Sequence, residues 1–260
     1  MVLSTLSTTG TVIFFFVTAL FILSLIIKRN DIADIAWGIG ILLAVVVSYS
    51  VRITDSLLMH ALLLLVSLWG IRLSVRILLK NIKKSEDPRY RKWRDEWGKW
   101  FYLRSYFQVY LLQGLLMIVV AYPVVHASVY GTGGELGTLA LLGVFVWCIG
   151  YFFEVVGDYQ LDSFIGKAEN RGKIMKYGLW KYSRHPNYFG EVTMWWGIFL
   201  MIATLPLSFV ALIGPITITF LIFKVSGIPM LEKHFEGNPE FEEYKKQTSV
   251  FFPLPQKKAS

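Results

Sequence analysis

The apolar positions of this chain fall in long, nearly uninterrupted blocks separated by shorter polar segments. About 20 consecutive apolar residues make a helix that crosses a bilayer. On that criterion the pattern predicts spans at about Thr11–Ile27, Ile32–Val51, Leu57–Leu79, Tyr106–Val125 and Thr138–Val156. Two further runs follow, about Asn187–Ala203 and Leu207–Phe223, parted by Pro206. The expected fold is all-α: a polytopic membrane protein of about seven transmembrane helices, a single membrane domain over residues 1–260.

Composition agrees with that reading. Hydrophobic residues make up 55% of the 260 positions, and charged residues only 17%, against about 25% in soluble domains. The net charge of +8 would suggest nucleic acid in a soluble protein, but its distribution points elsewhere. Apart from Arg52, the Lys and Arg residues gather after the first, third and fifth spans and in the tail, with Arg72 and Arg76 closing the third span. The positive-inside rule then places these segments in the cytoplasm and the N-terminus outside. On this topology Thr132 is external and Ser260 cytoplasmic, with a bacterial inner membrane favoured over endoplasmic reticulum. No cleavable signal pattern precedes the first span, and the single Cys148 excludes an internal disulfide. Between Lys80 and Arg104 the chain is basic and aromatic, with Trp93, Trp97, Trp100 and Arg104 at helical spacing. That pattern predicts an amphipathic helix lying on anionic lipid.

The densest chemistry lies in Tyr177–Glu191, Y-G-L-W-K-Y-S-R-H-P-N-Y-F-G-E. Gly178 suits a turn of positive φ, and Pro186 suits the first position of a helix. Asn187 and Glu191, four apart, would share one face of that helix. Polar groups entering a membrane are costly to desolvate without partners. A polar helix cap with interfacial Trp and Tyr anchors is the plainer account of the same residues.

This stretch resembles the signature of bacterial membrane proteins similar to the steroid 5-alpha-reductase C-terminal domain. That superfamily includes sterol reductases, which use NADPH. It also includes the isoprenylcysteine carboxyl methyltransferases, which use S-adenosylmethionine and share an Arg-His-Pro-x-Tyr-x-Gly core. The resemblance covers Asp158–Glu191 strongly and weakens before Leu57. It implies a cofactor-binding half over residues 158–260, with Glu154, Asp158, Trp180, Tyr182, Arg184, His185, Asn187, Tyr188 and Glu191 around a nucleotide. It also implies a tail that closes the site, with Tyr244 on the adenine or ribose side and Glu232 pairing with a basic group.

Lys167, Arg171, Lys173 and Lys176 add positive charge of the kind that phosphates require; positive-inside charge beside lipid explains each one singly. No G-x-G-x-x-G or P-loop is present, and the four histidines show no metal-ligand spacing. No metal or nucleic-acid partner is therefore expected, and no protein partner is inferred. In the first half, Asp34 lies near the start of the second span. It is either a helix-dipole charge or a carboxyl kept protonated by burial, able to donate to a substrate carbonyl. Steroid 5-alpha-reductases carry a Gln-Glu pair on the second span and a Tyr on the third, where this chain has Asp34 and Trp69. Tyr106, Tyr110 and Gln113, at spacings of four and three, offer alternative donors. The expected activity is NADPH-dependent reduction of a carbon-carbon double bond in a lipophilic enone, with Asp34, Tyr106 and Tyr110 as candidate catalytic groups. Two alternatives stay open: a methyltransferase of the isoprenylcysteine type, and a lipid-binding membrane protein without turnover.

Overall fold

A computed structural model describes residues 1–52, 56–82, 84–131 and 135–257. Thr132 and Ser260, the two markers of topology, lie outside them. Among the described residues the chain is helical without β-strands, with one isolated parallel bridge between Ser183 and Ser249. Among the described residues, six helical stretches are long and apolar enough to cross a membrane: Val2–Ile27, Ile32–Val51, Leu57–Asn81, Pro88–Tyr130, Thr138–Ile165 and Ser208–His234. The protein is thus an all-helical integral membrane protein. Its contacts group into two compact units, Met1–Gly137 with Ile202–Gly214, and Thr138–Met201 with Pro215–Ser260.

In the first unit, helix α1 (Val2–Ile27) starts nine residues before the expected Thr11. Its early Ser and Thr hydroxyls hide their polarity in their own helix. Ser4 Oγ donates to the Met1 carbonyl at 2.7 Å, Thr8 Oγ1 to Ser4 at 3.1 Å and Thr11 Oγ1 to Ser7 at 2.9 Å. Lys28 ends the helix in the left-handed region, φ 56°, which turns the chain within three residues into α2 (Ile32–Val51). Helices α2 and α3 (Leu57–Asn81) meet at Gly38 and Gly70; a Cβ on Gly70 would lie 2.7 Å from the Gly38 carbonyl oxygen.

The basic aromatic stretch does not form one amphipathic helix. Helix α4 (Pro88–Trp97) is capped by the Asp87 side chain and breaks at Gly98, φ 48°. Trp93 and Trp97 stack on each other at 5.2 Å, while Tyr90 and Phe101 are buried. The chain continues through α5 (Phe101–Ser105) and a π-helical turn, Tyr106–Leu111, into α6 (Leu112–Tyr130). His126, expected in a loop, is therefore helical and buried, its Nε2 at 2.8 Å from the Pro206 carbonyl oxygen.

In the second unit, α7 (Thr138–Ile165) runs nine residues past the expected Val156. It packs antiparallel on α8 (Pro186–Ile202), because Gly143 faces Gly197 and Gly150 faces Gly190. The glycines recur every seven residues on each helix, two turns apart, so bare backbone meets bare backbone along one seam. Beyond lie α9 (Ile213–Phe220), a π-helical turn, α10 (Ile228–His234) and α11 (Pro239–Gln247), the last capped by Asn238.

The seam gives a direct test. A Cβ on Gly150 would sit 2.6 Å from the Gly190 carbonyl oxygen and 2.7 Å from the Met194 nitrogen, atoms that cannot move alone. Gly150→Ala should destabilise the detergent-solubilised protein by about 1–3 kcal/mol. Gly10→Ala, with nothing within 4 Å of its Cβ, should be neutral or slightly stabilising. Thermal unfolding of the two variants beside the parent reads the difference.

Candidate functional site

Gly178 adopts φ 59°, as its place in the motif requires, and Pro186 opens α8. The turn at Gly178 packs on the Gln160 side chain, whose Oε1 accepts from the Leu179 amide at 2.9 Å. Trp180 is buried, and its Nε1 donates to the Gly157 carbonyl at 3.0 Å. The motif is thereby fastened to the extended end of α7, which carries Glu154 and Asp158 one turn apart, both buried.

Asp158 Oδ1 accepts from Asn187 Nδ2 at 3.1 Å. A carboxylate can only accept, so this contact orients the amide and turns Asn187 Oδ1 away from Asp158. That oxygen is buried and has no hydrogen-bond partner among the described residues; His185 Nδ1 shares that condition. The other His185 nitrogen, Nε2, faces Glu232 Oε1 at 3.1 Å, which places its proton on Nε2 and leaves Nδ1 as an acceptor in the neutral ring. The ring stacks on Tyr188 with centroids 5.5 Å apart.

Arg184 does something the motif alone does not show. Its Nε donates to Glu232 Oε1 at 2.8 Å, its Nη1 to the Thr248 carbonyl at 2.7 Å, and its own amide to the Ser249 carbonyl at 2.8 Å. Ser183 Oγ donates to the Phe251 carbonyl at 2.7 Å, and the Leu254 amide donates to the Tyr182 carbonyl at 3.0 Å. Tyr244 donates its hydroxyl to the Trp180 carbonyl; desolvation by burial, with Glu232 nearby, pushes this phenol well above its ordinary range. These groups of Arg184, Trp180, Tyr182 and Tyr244 therefore bind the C-terminal tail to the motif. Glu232 is the acid that pairs with the motif's cation.

Lys167, Arg171 and Lys173 lie exposed on the loop after α7, with no carboxylate in ion-pair reach among the described residues. Lys176 differs, holding Glu240 at 2.8 Å. The contact keeps Glu240 below the usual carboxylate range and Lys176 above the usual lysine range.

The candidate catalytic groups belong to the first unit. Asp34 accepts from Arg89 Nη2 at 2.7 Å, from the Tyr90 hydroxyl at 2.9 Å and from Gln113 Nε2 at 3.5 Å. Tyr90 is the residue sequence reasoning missed; it lies 56 positions away, inside a segment read as lipid-facing. Tyr106 and Tyr110 both pack their rings on Phe21, at 5.0 and 5.5 Å, but the polar ends of Tyr106, Tyr110 and Gln113 meet different partners. The Tyr106 hydroxyl meets Thr18 at 3.1 Å while the Tyr110 hydroxyl reaches Asn30 at 3.4 Å. Asn30, Asp31 and Glu86 are buried beside them, with Asp31 held by Arg29 at 2.7 Å and Glu86 by Arg94 at 3.1 Å.

Glu232 holds two basic groups at once, so its removal should be costly. Glu232→Ala leaves Arg184, only 10% exposed, without its acid and should destabilise the protein by about 3 kcal/mol. Glu232→Gln, which keeps one acceptor, should lose less. Limited proteolysis should then cut the tail after α10 faster in the Ala variant than in the Gln variant.

Comparison with known proteins adds family membership and no activity. The chain is 25% identical over 156 residues to the uncharacterized protein C594.04c of Schizosaccharomyces pombe, covering 52% of this chain and 45% of that relative. The match thus spans less than half of the relative's length. No solved structure matches the chain. A family described as protein of unknown function, DUF1295, matches residues 20–248, and the chain belongs to that family.

Proposed function

We propose that this protein is an NADPH-dependent reductase of a carbon-carbon double bond in a lipophilic enone. It would cross a bacterial inner membrane seven times, with the N-terminus outside and the C-terminus cytoplasmic. The span added to the six long apolar stretches, sixth in chain order, is α8, whose 17 residues reach about 25 Å at 1.5 Å per residue, somewhat short of the roughly 30 Å hydrocarbon core. The clustering of Lys and Arg sets the orientation.

One observation carries the cofactor assignment: two buried acceptors, Asn187 Oδ1 and His185 Nδ1, two residues apart and without donors among the described residues. They suit a ligand that brings N–H or O–H groups, such as the carboxamide and ribose of a nicotinamide nucleotide. Asp158 fixes the amide in the accepting orientation. Lys167, Arg171 and Lys173 would hold the phosphates, which S-adenosylmethionine lacks. When bound, NADPH supplies a hydride for the β-carbon of the enone. The proton donor is proposed from Asp34, Tyr106 and Tyr110, with Tyr90 added because Asp34 holds its hydroxyl at 2.9 Å.

Titration in detergent should show NADPH binding more tightly than NADH. A charge-assisted contact to phosphate contributes about 1.5–3 kcal/mol, so Arg171→Ala and Lys173→Ala should each erode the preference roughly tenfold. Asn187→Ala should weaken both nucleotides alike. Saturable S-adenosylmethionine binding without NADPH binding would make the methyltransferase the correct assignment. For the donor, Asp34→Asn should slow turnover by about 10²-fold or more while leaving the NADPH affinity within a few fold. Parental turnover in that variant would move the role to Tyr90, Tyr106 or Tyr110.

A further inference from the structure

From Arg89 to Arg104 the sequence carries six basic residues and two acidic ones. The structure sorts the cations into two kinds. Arg89 is bound to Asp34 and Asp87, Arg94 to Glu86, and Lys92 faces Glu96 at 3.6 Å. Arg91, Lys99 and Arg104 are exposed and have no carboxylate within ion-pair distance among the described residues. The last two lie near tryptophans, Lys99 Nζ at 5.8 Å from the Trp100 ring and Arg104 Cζ at 5.9 Å from the Trp97 ring.

The break at Gly98 changes which side chains face outward. Trp93 and Trp97 turn on each other, and Phe101 goes into the core beneath the Arg94 guanidinium at 4.1 Å. Trp100, Leu103 and Phe107 are left more than half exposed, at 54%, 52% and 56%. Their spacings of three and four put them on one side of the chain where it leads into α6, a spanning helix. Apolar side chains bracketed by free cations at the start of a spanning helix match the chemistry of the bilayer interface. The rings and Leu103 would enter the acyl boundary while the two cations meet phosphate oxygens.

We propose that the elbow Lys99–Phe107 binds the headgroup of an anionic phospholipid, Lys99 and Arg104 supplying the charge and Trp100, Leu103 and Phe107 the acyl-side contact. This site is separate from the nucleotide assignment and stands whether or not NADPH binds. One feature selects the lipid over a soluble anion: the cations are continuous with exposed apolar side chains that a free phosphate would leave uncovered.

The full-length protein in mild detergent, titrated with phosphatidylglycerol and with phosphatidylcholine and read by native mass spectrometry, tests the site. The parent should retain phosphatidylglycerol at least fivefold better than phosphatidylcholine. Lys99→Gln and Arg104→Gln should each reduce that preference, and the double variant should abolish it. Lys92→Gln, whose cation already has Glu96, should leave it unchanged. Thermal unfolding identifies any variant that loses lipid through loss of fold; for such a variant, the Trp100→Ala and Leu103→Ala pair takes its place and should weaken both lipids. Equal retention of the two lipids by the parent overturns the proposal. So does a preference that survives in the folded double variant, or one that glycerol phosphate competes away at equal concentration.

Discussion

The second unit depends on how closely α7 and α8 approach. Side chains of ordinary size along their seam would hold the helix axes 8–10 Å apart. Gly143, Gly150, Gly190 and Gly197 remove them, and backbone atoms of each helix occupy the space a Cβ would need on the other. At the end of this seam Gly157 lies beside Asn187, with a Cβ there 3.2 Å from the Asn187 nitrogen. The Asp158–Asn187 hydrogen bond follows from this packing. Two polar residues can meet within reach of the membrane because the helices that carry them are already in contact.

Much of this architecture could be read from the chain, and the reasons for the rest are specific. Apolar blocks announced the spans because lipid tolerates few charges, and Gly178 and Pro186 announced the turn and the helix start through their own backbone chemistry. The end of α7 was hidden because residues 157–165 include Asp158, Gln160 and Asp162, polar enough to read as loop. Their helical state rests on tertiary contacts: the Gly157 carbonyl receives Trp180, and Gln160 receives Leu179. The start of α1 was hidden for the opposite reason, since hydroxyls that bond their own backbone look polar in sequence and are not so in the helix.

The partners of the charged residues were the least legible part. Arg184 meets Glu232 and Asp34 meets Tyr90 across 48 and 56 positions, and no local pattern encodes such pairings. Sequence spacing put Tyr106 and Tyr110 on one face, and both rings do pack on Phe21, but their separate hydroxyl partners, Thr18 and Asn30, lie far away in sequence. In each case the residue types were right as carriers of polarity. Their assignments to partners needed the fold.

Those pairings also separate structural charge from available chemistry. Three of the buried or half-buried acids have a cation of their own: Asp31 has Arg29, Glu86 has Arg94, and Glu232 has Arg184 with His185. Leaving any of them unmatched in a low-dielectric interior would cost several kcal/mol, so these pairs are explained by folding alone. Asn187 Oδ1 and His185 Nδ1 are different. Both are buried, and among the described residues neither has a hydrogen-bond partner; the amide oxygen can only accept. A hydrocarbon chain cannot satisfy them, because it has no polar hydrogen to give. An anion cannot satisfy Asn187 Oδ1 either, because it only accepts. A nicotinamide nucleotide, as proposed above, would bring such hydrogens in its amide and sugar, and the Asp158 contact leaves the Asn187 amide oxygen free to receive them.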